Sequence, residues 1–255
     1  MEIIKYLVLG VIQGITEFLP ISSSGHIVLF KYFLDIKAGL TIDIFLHFGT
    51  LLAIFFVYYQ DILNMIYFKD EYKTFNLYII IGSIPAAVVG IFFEDFFEKM
   101  NSSLTVVGFF LIITGIILWL TNKITINKRQ IKDMSILDSI FIGLAQALAI
   151  FPGLSRSGST IAAGLYKNLN RELATKFSFI LSIPVIGGAT LLKLKELTLN
   201  GTTDLNYFYL FLATISSMIT GYLAINFFLK MIKEQKLHYF AYYCIPLGLI
   251  LIFSL

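Results

Sequence analysis

Charged residues are scarce in this chain of 255 residues: they make up 14% of it, whereas a soluble domain typically has about 25%. Hydrophobic residues make up 58%, and the mean hydropathy is +0.84. This balance excludes an ordinary water-soluble domain and predicts a single membrane domain over 1–255. Because the net charge is only +3, we expect membrane lipids as partners and no nucleic acid.

Cysteine is nearly absent as well. Cys244 is the one cysteine, so an internal disulfide is excluded, and no Cys/His cluster for a metal is predicted. The sequence also has no P-loop and no CxxC motif. The first apolar run carries Glu17 and leads directly into a polar fragment, so no cleavable signal peptide is expected.

Long apolar segments predict the membrane spans, since a spanning helix needs roughly 20 mostly apolar residues. Six segments qualify, at about 41–60, 76–94, 103–121, 172–192, 207–229 and 238–255. Tyrosines at their ends, among them Tyr58 and Tyr207, are typical of an interfacial belt.

The stretches 2–34 and 136–166 are apolar but interrupted by Pro, Gly and Ser. We expect each to form a re-entrant helical hairpin, because irregular backbone is tolerated at membrane depth only inside protein or beside a wet cavity.

The two interruptions repeat one pattern. At an offset of 133, the residues Gly10, Gln13, Phe18, Ser22, Ser24 and Gly25 recur as Gly143, Gln146, Phe151, Ser155, Ser157 and Gly158. At an offset of 131, Gly90, Phe96, Phe97, Lys99 and Met100 recur as Gly221, Phe227, Phe228, Lys230 and Met231. These matches predict two copies of one unit, about 1–121 and 136–255. Each copy has a hairpin and three spans, and because three is odd the second copy would be inverted in the membrane.

The expected fold is therefore an all-α integral membrane protein, with six transmembrane helices and two re-entrant helical hairpins in an inverted-topology repeat. Counting Lys and Arg on the loops places six on the side of the two chain ends and twelve on the other side. Because cytoplasmic loops carry the excess of Lys and Arg, both termini are predicted to lie outside.

The interruptions read QGITEFLPISSSGH at 13–26 and PGLSRSGST at 152–160. A second helix starts at each, and serines there can cap it: Ser22, Ser23 or Ser24 in the first, and Ser155 or Ser157 in the second. Helix N-termini favour anions, phosphate above all. Arg156 adds a planar, permanently charged fork. An arginine at the bilayer centre costs at least about 2.5–3.5 kcal/mol and usually marks a functional site, although Arg156 could instead only staple the hairpins by pairing with Glu17.

Glu17 lies four residues after Gln13, on the same helix face. A carboxylate beside a phosphate makes sense as a metal ligand or as a proton carrier, and magnesium or calcium commonly bridges a carboxylate to substrate phosphates. Gln13 could add a neutral oxygen to the same metal. His26 could transfer a proton near neutral pH, and Ser23 could be a nucleophile that His26 activates. We expect His47 and Asp43 to be packing or interfacial groups.

At these residues the sequence resembles the undecaprenyl-diphosphatase family, also called bacitracin-resistance proteins BacA or UppP. The family's first motif is (E/Q)GxTEFLPxSSxGH, matched here from Gln13 to His26, and its second is PGxSRSGxT, matched from Pro152 to Thr160. The hydropathy profile is similar along essentially the whole chain. Two long motifs in the right order make the resemblance highly specific.

The resemblance implies an integral membrane enzyme that hydrolyses undecaprenyl diphosphate to undecaprenyl phosphate and inorganic phosphate. It implies recycling of the lipid carrier for cell-wall synthesis, bacitracin resistance, and a site that opens to the outer face of the bacterial cell membrane. It implies a divalent cation, Ca²⁺ or Mg²⁺, a polyprenyl diphosphate substrate, and a possible homo-oligomer. The implied catalytic residues are Glu17, Ser23, His26 and Arg156. Ser22, Ser24, Ser155, Ser157 and Thr160 are predicted to bind substrate, and Glu17 and Gln13 to bind metal.

Gln13 takes the first place of the (E/Q)xxxE motif. Members with Glu there have two carboxylates and this chain has one, which argues against a metal site with two carboxylates. The nucleophile stays open between Ser23 and a metal-activated water. A transporter or flippase of an anionic or lipid-linked substrate is the alternative function, since inverted repeats with broken helices at the midplane suit it equally well. A scaffold without chemistry is the third option.

Overall fold

The computed structural model describes residues 2–36, 40–93, 96–97, 100, 103–124, 128–200 and 206–253. Within these ranges the regular structure is helical, apart from one isolated bridge between Arg129 and Leu169. The α-helices are α1 Glu2–Phe18, α2 Ser23–Phe33, α3 Leu40–Val57, α4 Tyr59–Ile66, α5 Asp70–Phe92, α6 Leu104–Leu120, α7 Ile136–Leu148, α8 Arg156–Tyr166, α9 Arg171–Asn200, α10 Tyr207–Lys233 and α11 Ala241–Phe253. The all-α prediction is confirmed. Lys99, one residue of the second sequence echo, lies outside the described residues.

Five helical segments of the described chain are long and apolar enough to cross a bilayer. They are Asp70–Phe92, Leu104–Lys123, Arg171–Leu192, Tyr207–Lys233 and Lys236–Phe253. The span predicted at 41–60 differs from the expectation, because α3 ends at Val57 and α4 departs from it at 82°. Counting α3 and α4 as one bent span gives six.

Tyr58 stands at this bend and is not part of an interfacial belt. Only 5% of it is exposed, and its ring packs edge-on against Phe179, with centroids 6.4 Å apart. The prediction for Tyr58 was wrong because the sharp turn after α3 directs its ring into the core. Tyr59, the next residue, is exposed.

The two interrupted stretches each form a pair of short helices, as predicted. The chain leaves α1 at Phe18 and starts α2 at Ser23; it leaves α7 at Leu148 and starts α8 at Arg156. We call residues 19–22 the first break and residues 149–155 the second break. Each break contains a proline, Pro20 or Pro152, and a proline inside a helix removes a backbone hydrogen bond and clashes with the preceding turn.

The helices pack in a pattern that relates the two halves of the chain. α1 and α3 pack on α10, α7 packs on α5, and α6 packs on α11. At the α6–α11 contact, a Cβ on Gly108 would lie 2.7 Å from the Gly248 carbonyl oxygen, and one on Gly248 would lie 2.5 Å from that of Gly108. Small residues let helix backbones approach this closely, which is the usual basis of helix association in membranes.

The segment that links the two halves is tied to the second helix pair. Arg129 donates to both carboxylate oxygens of Asp138, at 2.6 and 3.2 Å, and to the Lys167 carbonyl oxygen at 2.8 Å. Asp138 also accepts from the backbone N–H of Ser135, the residue that caps α7. These contacts fix the start of α7 to the end of α8, so the second break is held from both sides.

Candidate active site

The two breaks contact each other. Ser157 at the start of α8 donates its hydroxyl to the Leu19 carbonyl oxygen in the first break, at 3.3 Å. A Cβ on Gly158 would lie 3.2 Å from Pro20 Cβ, so the chain passes close to Pro20 there. The glycines of the two motifs thus let the N-termini of α2 and α8 come together.

Each of these N-termini has a serine cap. Ser22 Oγ accepts from the Gly25 N–H at 3.3 Å, and Ser155 Oγ accepts from the Gly158 N–H at 3.1 Å. Of the five serines predicted as possible caps, these two fill the role. The first turn of a helix has N–H groups without intrahelical partners and carries partial positive charge, so two such turns favour an anion between them.

The Glu17 carboxylate joins the two breaks. Its Oε1 accepts from Arg156 Nη2 at 2.6 Å, and its Oε2 accepts from Ser23 Oγ at 2.7 Å and from Gln13 Nε2 at 3.0 Å. Glu17 is only 6% exposed. Burial of a charge is costly unless it is paired and hydrogen-bonded, and Glu17 meets both conditions. The predicted pairing of Glu17 with Arg156 is therefore present.

Arg156 does more than staple the hairpins. Besides Glu17 it donates from Nη1 to the Ser178 carbonyl oxygen at 3.2 Å. A guanidinium has five N–H donors, so these two contacts leave others for a further acceptor. Arg156 is partly exposed, with 16% of its side chain accessible. It can hold Glu17 and still bind an oxyanion.

His26 forms its ring hydrogen bonds with groups other than Ser23, contrary to the sequence expectation that it would activate this serine. Its Nδ1 lies 2.7 Å from the Ser22 carbonyl oxygen, and its Nε2 lies 2.7 Å from the Tyr243 hydroxyl. The ring is turned back toward the helix cap, and Ser23 is left to donate to Glu17. Glu17 is thus the group positioned to accept the Ser23 proton.

Tyr243 of α11 is a site residue that the sequence analysis missed. A carbonyl oxygen only accepts, so His26 Nδ1 carries a proton; in the neutral ring Nε2 is then the acceptor and Tyr243 donates to it. The two rings are nearly parallel, with an angle of 11° and centroids 5.7 Å apart. Tyr243 stands 217 residues from His26 in an apolar segment, so no local pattern signals this contact.

His47 of α3 is the second missed residue, and the expectation that it is only a packing or interfacial group was wrong. Its Nδ1 lies 2.9 Å from Gln13 Nε2 and 3.4 Å from Glu17 Oε2. Asp43 behaves as expected, in an ion pair with Lys31 at 2.7 Å. The sequence signal for His47 was a titratable residue about two turns inside an apolar helix that begins at Leu40, which is rare in membrane helices.

The serines and the threonine predicted to bind substrate are all near the breaks, but several are enclosed. Thr160 pairs with Ser178 Oγ at 2.6 Å and donates to the Arg156 carbonyl oxygen at 2.8 Å. Ser155 and Ser157 are buried, with their hydroxyls 3.3 Å apart. Ser24 is partly exposed and pairs with Ser22 at 3.2 Å. Their contacts position the breaks, and their binding of substrate stays a prediction.

The residues fit a divalent cation that shares its ligands with a substrate. Gln13 Oε1 is buried and has no hydrogen-bond partner, so this neutral oxygen is available beside the Glu17 carboxylate. Among the described residues there is no cluster of three or more His, Cys, Asp or Glu side chains. Magnesium is often held by one or two carboxylates together with substrate phosphates, and this donor set suits such a cation.

The fold and site together define a helical membrane protein in which the starts of two short helices meet at a cluster of a glutamate, a serine and an arginine. A sequence model of the family "Bacitracin resistance protein BacA" matches residues 6–250. The chain therefore belongs to the BacA family.

Two curated relatives illustrate the match. The chain is 44% identical to the undecaprenyl-diphosphatase of Halothermothrix orenii over 253 residues, which cover 99% of this chain and 98% of the relative. It is 42% identical to the undecaprenyl-diphosphatase of Methanobrevibacter smithii over 98% of this chain and 96% of the relative. The similarity thus extends over nearly the full length of each protein.

Proposed function

We propose that this protein hydrolyses undecaprenyl diphosphate to undecaprenyl phosphate and inorganic phosphate. The family match and the names of the relatives support this activity. The structural observation that carries it is the Glu17 carboxylate, which accepts from Ser23 of one helix start and Arg156 of the other. The reaction recycles the lipid carrier for cell-wall synthesis and confers bacitracin resistance.

The finer architecture we propose is six spans and two re-entrant hairpins in an inverted repeat. Two pairs of contacts related by sequence offset support it. Ser22 caps the Gly25 N–H and Ser155, 133 residues later, caps the Gly158 N–H. Cys244 contacts the Pro20 carbonyl oxygen, and Thr114, 130 residues earlier, donates to the Gly153 carbonyl oxygen, where Gly153 is the counterpart of Pro20.

The proposed location is the bacterial cell membrane, with the site open to the outer face. The excess of Lys and Arg on the loops away from the chain ends supports this orientation, because such an excess is typical of cytoplasmic loops. The undecaprenyl tail would then lie along the apolar helix surface while its diphosphate enters between the two breaks.

The diphosphate is bound by donors from both halves of the chain. In the proposed binding mode, uncapped N–H groups at the starts of α2 and α8 and the remaining donors of Arg156 would bind the phosphate oxygens. Phosphoryl transfer is catalysed mainly by positioning and by stabilisation of charge on the transferred group. We assign this task to Arg156 and the two helix N-termini.

Two routes for the attack on the terminal phosphorus stay open. In one, Ser23 Oγ attacks, its proton passes to Glu17 Oε2 at 2.7 Å, the P–O bond to undecaprenyl phosphate breaks, and water later hydrolyses the phosphoserine. In the other, water attacks directly and Ser23 binds a phosphate oxygen. In both, His26 Nε2 accepts a proton from the attacking water once Tyr243 yields that atom.

A divalent cation, Ca²⁺ or Mg²⁺, completes the proposed site. Glu17 and Gln13 Oε1 would hold it together with the diphosphate oxygens. Such a cation neutralises charge on the phosphates as the bond breaks.

The test is phosphate release by the purified full-length protein in detergent, with undecaprenyl diphosphate and Mg²⁺ or Ca²⁺. We expect release by the parent and its loss in Glu17→Ala and Arg156→Ala, while Glu234→Ala, a surface control in an ion pair with Lys236, retains it. An inactive parent, or full activity in both site variants, would contradict the proposed function. Trapping of phosphate on Ser23 would choose between the two routes of attack.

A flippase or transporter is the second candidate, because paired broken helices are also found in transporters. A carrier does not need a serine hydrogen-bonded to the carboxylate that binds the arginine. This alternative would be favoured if the parent released no phosphate and the Glu17→Ala variant still moved the lipid across vesicle membranes.

A further inference from the structure

Resting on the proposed function, we infer that His47 binds the diphosphate of the substrate through its Nε2–H. His47 would thus be a substrate-binding residue contributed by α3, in addition to the groups of the two breaks. The inference depends on three features of the structure: the hydrogen bonds of Gln13, the open side of the His47 ring, and the shared carboxylate of Glu17.

The hydrogen bonds of Gln13 fix which nitrogen of His47 carries the proton. The Gln13 amide has two N–H donors, and its Nε2 lies 3.0 Å from Glu17 Oε2 and 2.9 Å from His47 Nδ1. Both donors are therefore used, and Nδ1 accepts. A reversed amide would place its oxygen 3.0 Å from the carboxylate oxygen, where the two acceptors repel each other.

The role of Nε2 as a donor does not depend on the charge of the ring. With Nδ1 accepting from Gln13, a neutral ring carries its proton on Nε2, and a charged ring carries a proton there as well.

His47 Nε2 is available for a ligand. Every hydrogen bond of His47 to the described residues is made by Nδ1 or by its backbone. Its side chain is 34% exposed, although Glu17 beside it is only 5% exposed. A donor with no protein partner, at the edge of a buried ionic cluster, is the kind of group that binds a substrate oxyanion.

The exposed parts of the cluster surround one carboxylate. Ser23, Arg156 and His47 are all partly exposed, and each has a polar atom within 3.4 Å of Glu17. The unused donors of Arg156 and His47 therefore lie around one carboxylate, next to the Ser23 hydroxyl that donates to it. A diphosphate carries several charged oxygens, so a side-chain donor from α3 would add a contact to those supplied by the two breaks.

Two substitutions separate substrate binding from support of Gln13. In His47→Gln, the side-chain amide reaches the position of Nε2 and can still donate outward. In His47→Asn, the shorter amide reaches the position of Nδ1 and can still accept from Gln13, but it has no outward donor. The variant His238→Asn is the matched control, because the His238 ring packs on Tyr239 instead.

The first measurement is the kinetics of farnesyl diphosphate hydrolysis by the full-length protein in detergent with Mg²⁺. Loss of one hydrogen bond to a charged group predicts a KM raised about tenfold in His47→Asn, with kcat little changed. His47→Gln and His238→Asn should stay within about threefold of the parent, as expected if a donor is retained. The reverse order, with His47→Asn normal and His47→Gln impaired, or parental KM in both, would overturn the inference.

The second measurement needs no turnover. In protein labelled with ¹⁵N-histidine, the His47 signals, assigned by their loss in His47→Gln, should show a protonated Nε2 and an unprotonated Nδ1. Methylenediphosphonate should shift the Nε2 signal and leave His238 unchanged. An Nε2 signal that does not respond overturns the inference even where the parent is active; a parent without hydrolysis but with this response would instead refute the proposed function alone.

Discussion

The first and second breaks share a capping pattern and differ in their chemistry. Both have a serine cap on the third N–H of the following helix and a second serine against the cap. The residues at equivalent positions differ, however. Glu17 and Ser23 flank the first break, whereas Ile150 and Arg156 take their places at the second. The comparison teaches that the repeated part builds two facing helix starts, while the positions that differ supply the carboxylate, the hydroxyl and the guanidinium.

The largest effect is expected from the residue that most clearly distinguishes the breaks. Arg156→Lys retains the positive charge but loses the planar fork that reaches both Glu17 and Ser178. Removal of one donor that stabilises transition-state charge costs about 10²–10³-fold in kcat, and a lysine does not replace a bidentate arginine. Phosphate release should fall by about that factor, and the matched change Arg171→Lys should leave it nearly unchanged. A fall of less than about fivefold would mean that charge alone is sufficient at this position.

The second comparison concerns how the chain turns. Gly153 has φ = +94°, and a Cβ there would collide with the backbone of Val107. Ser22 in the first break has φ = +69° and tolerates its side chain because that side chain forms the cap. Gly153→Ala should destabilise the protein by roughly 2 kcal/mol or more, since left-handed backbone costs about 1–2 kcal/mol outside glycine and the clash adds to it.

Ser22→Gly is the variant to compare with Gly153→Ala. It removes a helix cap, which costs a few tenths of a kcal/mol of stability, but glycine adopts the left-handed backbone more easily than serine does. Thermal unfolding in detergent should therefore show a clearly lower Tm for Gly153→Ala and little change in Tm for Ser22→Gly. Equal losses would mean that the two turns depend on their side chains in the same way.

The third comparison concerns the two helices that hold the breaks. Thr114 of α6 donates to the Gly153 carbonyl oxygen and accepts from the Ser155 N–H, both at 3.0 Å. Cys244 of α11 makes one long contact with the Pro20 carbonyl oxygen, at 3.7 Å. Thr114→Val leaves a buried N–H without a partner and should cost about 1–3 kcal/mol. Cys244→Ala should lower the free energy of unfolding by less, because a thiol is a weak donor. A larger loss of stability in Cys244→Ala than in Thr114→Val would contradict this ranking.

Sequence reasoning found the serine caps and the ionic pair because both lie in short motifs with a recurring spacing. Gln13, Glu17, Ser22, Ser155 and Arg156 all fall within two such stretches. It did not find His47 or Tyr243, because each stands alone in an apolar helix far from both motifs. The bend at Tyr58 was also missed, since an apolar segment of sufficient length gives no signal for a sharp turn within it.

The last prediction concerns Tyr243, which contacts His26 beside the first break, a contact without a counterpart beside the second break among the described residues. Tyr243→Phe removes the hydroxyl from His26 Nε2 at 2.7 Å and keeps the ring that lies parallel to it. If the hydroxyl positions His26, kcat should fall about tenfold, the equivalent of one hydrogen bond, with KM nearly unchanged. Tyr242→Phe, the exposed neighbour, should behave like the parent.

In a His26→Gln background the effect of Tyr243→Phe on kcat should disappear, since the effects of residues that act through one another are not additive. An undiminished effect there would assign Tyr243 a role in packing α11, and the asymmetry between the breaks would then rest on Glu17, Ser23 and Arg156 alone.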